Sequence, residues 1–184
     1  MALVASIYKG EFQLPDFSLK DAHGDTHHAK DLLGEHGLVV AFTCNHCPYA
    51  IAVWPRLVRH AATLKAMGIN TVAINPNIHP DFPEDNVDAM REKLLEWKIN
   101  FPYLADETQD VAKAFDAQCT PDIFMFDNKG KLYYHGRIDD YWKDETRVNT
   151  EELLPAAEAV VAGQPAPQPQ HPTIGCSIKW LTNE

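Results

Sequence analysis

Cys44 and Cys47 frame a Cys-x-x-Cys pair that follows the apolar run Leu38-Val39-Val40-Ala41-Phe42-Thr43 and precedes a helical pattern. A cysteine at such a strand-to-helix junction faces orphan backbone N–H groups and the positive end of a helix dipole, both of which favour thiolate over thiol. Cys44 is therefore expected to be the nucleophile. Cys47, one helical turn on, can approach it closely enough for a disulfide and so resolve a mixed disulfide on Cys44. His46, just before Cys47, can stabilise the thiolate as a cation or as a hydrogen-bond donor, which makes the disulfide more oxidising.

The same residue types also bind metals. A structural zinc site wants four ligands, usually from a second Cys-x-x-Cys or a paired His, and this chain has no second Cys-x-x-Cys. Covalent haem attachment needs a His directly after the second cysteine, where Pro48 stands. His23, His27 and His28 cluster on an expected surface hairpin and read as a solvated face. No metal or organic cofactor is required by the redox reading. A metal carrier using Cys44, Cys47 and His46 remains the alternative of a different class, beside a scaffold engaging partners through the tail.

A second chemical element is Cys119-Thr120-Pro121-Asp122, at the entry to the apolar segment Ile123-Phe124-Met125-Phe126. An X-Pro bond opening a strand is a place where a cis peptide is often held. Cys119 beside it reads as a buried thiol or a further redox centre, and Cys176 near the chain end can reach either it or the Cys44–Cys47 site.

These residues need elements to hold them. Phe17 to Lys20 and Thr26 to His28 flank a turn-forming Asp21-Ala22-His23-Gly24-Asp25 and read as an N-terminal β-hairpin. Leu38 to Thr43 is a strand buried on both faces. Ile51, Trp54, Leu57, Ala61, Leu64 and Met67 recur at helical spacing up to Gly68, with Pro55 expected to kink that helix. Thr71 to Asn75 is a strand, Glu84 to Lys98 an amphipathic helix, Tyr103 to Ala105 a short strand and Thr108 to Phe115 a helix. Asp122 to Phe126 and Leu132 to Gly136 form a hairpin across Asp127-Asn128-Lys129-Gly130. Glu151 to Ala162 is the last helix. Strands alternating with helices predict an α/β fold, a central mixed β-sheet flanked by helices with an antiparallel pair at one edge. Residues 1–163 form one domain, and 164–184 a Pro-rich linker and a C-terminal tail packed on it.

Composition narrows the function classes. The 184 residues, 45% hydrophobic and 23% charged, suit one globular domain that folds alone. With 16 Lys and Arg against 26 Asp and Glu, the net charge of −10 repels phosphate backbones and anionic lipid. Nucleic acid is not expected as a partner. No apolar run has the length a bilayer requires, and the sequence as written shows no secretory signal, so no membrane partner and a cytoplasmic location are expected. In a reducing compartment, cysteines are more often catalytic than structural.

Strand, Cys-x-x-Cys, helix, then Thr-Pro before a β-hairpin resembles the thioredoxin-like fold. More narrowly, Phe101-Pro102-Tyr103-Leu104-Ala105-Asp106, Val111-Ala112-Lys113-Ala114-Phe115, Thr120-Pro121 and Phe126-Asp127 to Gly130 are similar to the alkyl hydroperoxide reductase and thiol-specific antioxidant (peroxiredoxin-like) family, from Leu14 to about Ala162. Thr43 to Tyr49 and Gly175 to Trp180 resemble an uncharacterised peroxiredoxin-like group with a Thr-Cys-x-x-Cys-Pro-Tyr site and a Gly-Cys-Ser-Ile-Lys-Trp tail. The resemblance implies a cis Pro121 packed beside the cysteines, a Thr120 backbone that offers strand-like hydrogen bonds to a substrate, and an extra helix supplied by Glu84 to Lys98. It makes Thr43, Cys44, His46, Cys47, Thr120 and Pro121 the site residues.

The implied activity is thiol:disulfide exchange or, as the alternative, a thiol-dependent peroxidase. The implied partners are a protein or small-molecule disulfide or peroxide and a thioredoxin-type or low-molecular-weight thiol reductant. Related folds often dimerise, so a homodimer is one assembly open to the chain. In true peroxiredoxins the peroxidatic cysteine matches Cys47 within a Pro-x-x-x-Thr-x-x-Cys frame, whose Thr and Pro slots here hold Cys44 and Val40. Arg137 is a candidate for polarising a peroxide.

Overall fold

The computed structural model describes residues 2–181. In chain order its strands are β1 (Ala2–Val4), β2 (Ser18–Asp21), β3 (Thr26–His28), β4 (Gly37–Phe42), β5 (Ile69–Asn75), β6 (Tyr103–Ala105), β7 (Cys119–Thr120), β8 (Asp122–Asp127), β9 (Leu132–Gly136) and β10 (Ile174–Ser177). Its helices are α1 (Ala29–Leu32), α2 (Pro48–Ala66), α3 (Val87–Glu96), α4 (Asp110–Ala114) and α5 (Leu153–Val161).

Seven strands form one mixed sheet in the order β3-β2-β6-β5-β4-β8-β9. The parallel pairs β4–β5 and β5–β6 lie at its centre. Antiparallel pairs close both ends: β8 and β9 beyond β4, and the N-terminal hairpin β2–β3 beyond β6. This is the expected α/β architecture, with a second antiparallel edge supplied by the hairpin.

The core follows from β4, whose residues are buried throughout. Successive side chains of a strand point to opposite faces. Val39 and Ala41 pack with Trp54, Leu57 and Leu64 of α2 and Leu153, Ala156 and Ala157 of α5. Leu38, Val40 and Phe42 pack on the other face with Phe115, Phe124 and Phe126. There the Phe115 ring meets Phe42, Phe124 and Phe126 edge-on at centroid distances of 5.0, 5.4 and 5.8 Å, the geometry aromatic quadrupoles prefer.

Helix α2 continues through Pro55 to Ala66 and ends with Gly68 at a φ of +77°, where its N–H donates to the Lys65 carbonyl (3.0 Å). The helix expected over 84–98 divides. Pro83–Asp85 is a 3-10 turn, and Asn86 caps α3 by accepting the Ala89 N–H at 2.8 Å. An Asn side chain competes well for orphan N–H groups at a helix start, so the helix begins at Val87 and Asp85 is released to turn inward.

Three strands, β1, β7 and β10, are not expected from the sequence. β10 lies between β1 and β7 in a separate three-stranded antiparallel sheet. Cys176 stands opposite Ala2 on one side and Thr120 on the other. No helix among the described residues is long and apolar enough to cross a membrane.

Candidate active site

Four segments meet at the C-terminal end of β4: the loop Thr43–Cys47, the first turn of α2, the Thr120–Pro121 corner and β10. Thr43 contributes through its backbone, its N–H donating to the Ile74 carbonyl at 2.9 Å and so keeping the loop in line with β5. The Trp54 indole N–H donates to the Cys44 carbonyl at 3.2 Å. The loop that carries both cysteines is therefore fastened from the sheet and from the helix.

Cys44 and Cys47 are both buried and pack together with Ala50, Tyr49 and Cys176. All four cysteines are thiols in this structure. Thr120, joined to Pro121 by a cis peptide bond, touches both members of the pair. Its Oγ1 lies 3.2 Å from Cys44 Sγ, and its carbonyl accepts from the Cys47 thiol at 3.1 Å.

The helix N-terminus favours the second cysteine, not the first as expected. α2 begins at Pro48, so Cys47 rather than Cys44 is the N-cap residue. A hydrogen bond from the Cys44 thiol, with further ones from the Cys176 thiol and the Ala50 and Cys176 N–H groups, pulls the Cys47 thiol down from its ordinary value to about 4. Burial pushes the Cys44 thiol up, helped by the neighbouring Cys47 sulfur and the Asp85 charge. Cys47 is thus the more acidic member of the pair, because a thiolate at the helix end is reached by N–H donors that the deeper Cys44 sulfur does not reach.

His46 is held by a residue the sequence reading missed. Its Nδ1 bonds the carboxylate of Asp85, which raises the imidazole pKa, and its ring stacks on Phe82 at 5.0 Å. Asp85 is fully buried and also accepts the Asn45 N–H at 2.6 Å and the Asn75 side-chain amide at 3.4 Å. Asn45 in turn donates to the Glu84 carbonyl and accepts from the Tyr103 hydroxyl, both at 2.9 Å. The only available signal was Asn86 as a helix cap, which places Asp85 outside the helix.

One sulfur, one imidazole nitrogen and one carboxylate oxygen, from Cys44, His46 and Asp85, lie within 4.8 Å of one another. These are the residues that could hold a metal ion. The metal set weighed from sequence was Cys44, Cys47 and His46, and Asp85 takes the place of Cys47 in this grouping. His27 of the surface hairpin pairs instead with Asp21 at 2.9 Å.

Arg137 lies apart from the thiols. Its guanidinium makes two bonds to one carboxylate oxygen of Glu152, at 2.9 and 2.6 Å. It lines a cavity of about 320 Å³ with Val4, Pro121, Ile123, Trp142 and Ile174. None of the four cysteines lines it.

Residues 12–135 match the AhpC/TSA family. Over 118 residues, 64% of this chain, the sequence is 25% identical to the thiol-disulfide oxidoreductase ResA of Bacillus subtilis (strain 168), and the chain spans 62% of the length of that curated relative. The fold is similar to an uncharacterized conserved protein from Geobacillus kaustophilus, with a TM-score of 0.94 and 37% identity over 100% of this chain and 98% of the other. It is also similar to the peroxidoxin BcpB from Mycobacterium tuberculosis, with a TM-score of 0.63 and 16% identity over 83% of this chain and 95% of the other. The last likeness bears on architecture, which is thioredoxin-like.

Proposed function

The chain belongs to the AhpC/TSA family, and on that footing we propose that it is a thiol:disulfide oxidoreductase in which Cys44 and Cys47 cycle between dithiol and disulfide. One observation carries this reading: two buried cysteines packed together against the Thr120 corner, the second of them at a helix N-cap. Exchange needs a thiolate to attack and a second thiol to resolve.

In the proposed cycle the Cys47 thiolate attacks one sulfur of a protein or small-molecule disulfide. The substrate S–S bond breaks, a Cys47 mixed disulfide forms, and the departing thiolate takes the Cys44 proton. Cys44, now a thiolate, attacks Cys47 Sγ, releases the second substrate sulfur as a thiolate that takes a proton from water, and closes the Cys44–Cys47 disulfide. A thioredoxin-type or low-molecular-weight thiol returns the pair to dithiol. Thr120 Oγ1 is a positioning residue, since its hydrogen bond favours ionised Cys44. His46, held by Asp85, adds positive charge beside the Cys47 thiolate. The setting we propose is the reducing cytoplasm, as a monomer or a homodimer.

The order is testable by trapping. In a Cys176→Ser background, a disulfide peptide accumulates as a mixed disulfide on Cys44→Ser if Cys47 attacks. Accumulation on Cys47→Ser instead would establish the order expected from spacing, Cys44 attacking and Cys47 resolving.

A thiol-dependent peroxidase is the second reading, favoured by the low-pKa Cys47 at the helix N-cap, the position a peroxidatic cysteine takes. Single-turnover stopped flow on reduced protein, followed by tryptophan fluorescence, separates the two. Fast oxidation by a disulfide peptide, with hydrogen peroxide no faster than it is towards a free thiolate, supports exchange. Peroxide reacting orders of magnitude faster would make the site a peroxidase.

A further inference from the structure

Strand β10 runs beside the Thr120 corner, where the family resemblance placed the backbone of a substrate. Cys176 stands opposite Thr120 in the antiparallel ladder, and its side chain packs against Cys44, Cys47 and Ala50. Three sulfurs therefore share one cluster, contributed by the loop after β4, the helix cap and the tail.

The close approach depends on Gly175. A Cβ at that position would overlap the Thr120 carbonyl oxygen and carbon. The strand is also pinned on both sides. β1 pairs along its outer edge, and the Ala5 N–H donates to the Thr173 carbonyl at 3.0 Å. Beyond it, the Lys179 N–H donates to Asn77 Oδ1 at 2.9 Å and the Leu181 N–H to Gln109 Oε1 at 2.7 Å. Cys176 is thus held in register against Cys47 rather than carried on a loose tether. Cys119 differs, since its thiol faces the Pro121 carbonyl at 3.4 Å and lies outside this cluster.

Building on the exchange reading above, we propose that Cys176 is a third redox thiol of the site, which exchanges with Cys47. In this step the Cys176 thiolate attacks Cys47 Sγ of the Cys44–Cys47 disulfide. The Cys47–Cys176 bond forms, the Cys44–Cys47 bond breaks, and Cys44 leaves with the electron pair and takes up the proton that Cys176 gave. Nothing is oxidised or reduced overall, so no further reagent is needed. A mixed disulfide on Cys47 thereby has two resolving thiols, Cys44 beneath it and Cys176 across from it. Burial holds both of these thiols above their ordinary value, Cys176 at about 11.

The test uses full-length Cys44→Ser protein and oxidised glutathione. Cys47 takes up one glutathione and releases the other, and Cys176 then displaces the bound one, so two thiols are oxidised as one glutathione disulfide becomes two glutathione thiols. The expected product, mapped by mass spectrometry after acid quench and alkylation, is an intramolecular Cys47–Cys176 disulfide without a glutathione adduct. A lasting adduct on Cys47, with Cys176 still alkylated, would overturn the proposal. Adding Gly175→Val to Cys44→Ser should slow closure by about tenfold or more, because an ångström of misplacement is costly for an intramolecular reaction. Closure at an unchanged rate would count against the register argument and overturn the proposal equally. Wild-type protein separates the two readings. If glutathione disulfide closes Cys44–Cys47 there while Cys44→Ser keeps its adduct, only the third thiol fails; if wild type resists oxidation altogether, the exchange reading fails with it.

Discussion

The carboxylate of Asp85 lies fully buried beneath His46 and holds both the His46 ring and the Asn45 N–H. One acid thus fixes the two residues between Cys44 and Cys47, so the conformation of the redox loop is set from the 3-10 turn that precedes α3.

Removing that acid should loosen the loop. Asp85→Ala leaves the buried Asn45 N–H without its acceptor, and stability should fall by about 1–3 kcal/mol in urea unfolding. The effect has a pH signature. The folded pKa of His46 lies above its ordinary value of 6.5, so its contribution is fully present below that value and is lost as pH rises through the raised one. The gap between wild type and Asp85→Asn should narrow over that interval. A gap independent of pH would show that the His46–Asp85 pair does not carry it.

The charge on Cys47 can be read directly. Reduced protein should show thiolate absorbance near 240 nm that persists down to about pH 4, and Cys47→Ser should abolish this low-pH transition. The thiol is depressed from an ordinary value near 9.0. Its contribution to stability is therefore fully present above that value and disappears as pH falls through about 4. A midpoint that stays in the ordinary thiol range would contradict the N-cap account.

The aromatic face of the sheet should be costly to disturb. Phe115 is fully buried among Phe42, Phe124 and Phe126, and Phe115→Ala should cost about 3–5 kcal/mol. Denaturant unfolding with an unchanged m-value and a lowered midpoint is the expected result.

Arg137 is expected to be dispensable for thiol chemistry, being paired with Glu152 and lining a cavity that holds none of the cysteines. Arg137→Lys should leave single-turnover rates with disulfide peptide and with peroxide within about twofold, since only interactions with the reacting atoms move the barrier. A large loss with peroxide alone would restore the idea that its guanidinium polarises a peroxide.

Much of this architecture was written locally. The unbroken apolar run Leu38 to Phe42, the apolar spacing from Ile51 to Leu64 and the turn at Asp127 to Gly130 each announce their element, because a strand buried on both faces is apolar throughout and a helix with one buried face repeats its apolar residues at its own period. The Cys44–Cys47 pair was legible because strand, loop and helix start are consecutive in the chain, whereas the place of the Thr120–Pro121 corner beside it was implied by the family resemblance alone. The tertiary structure decided the remainder. Which cysteine caps α2 depends on where the first helical turn closes, and that position favours a thiolate at Cys47 rather than at Cys44. Asp85 reaches His46 and Asn45 from some forty positions away, and β10 is too short to show a period of its own. Its pairing with β1 and β7 rests on contacts between residues far apart in the chain, such as Ala2 with Cys176 and Cys176 with Thr120, and no local pattern encodes a contact between such distant segments.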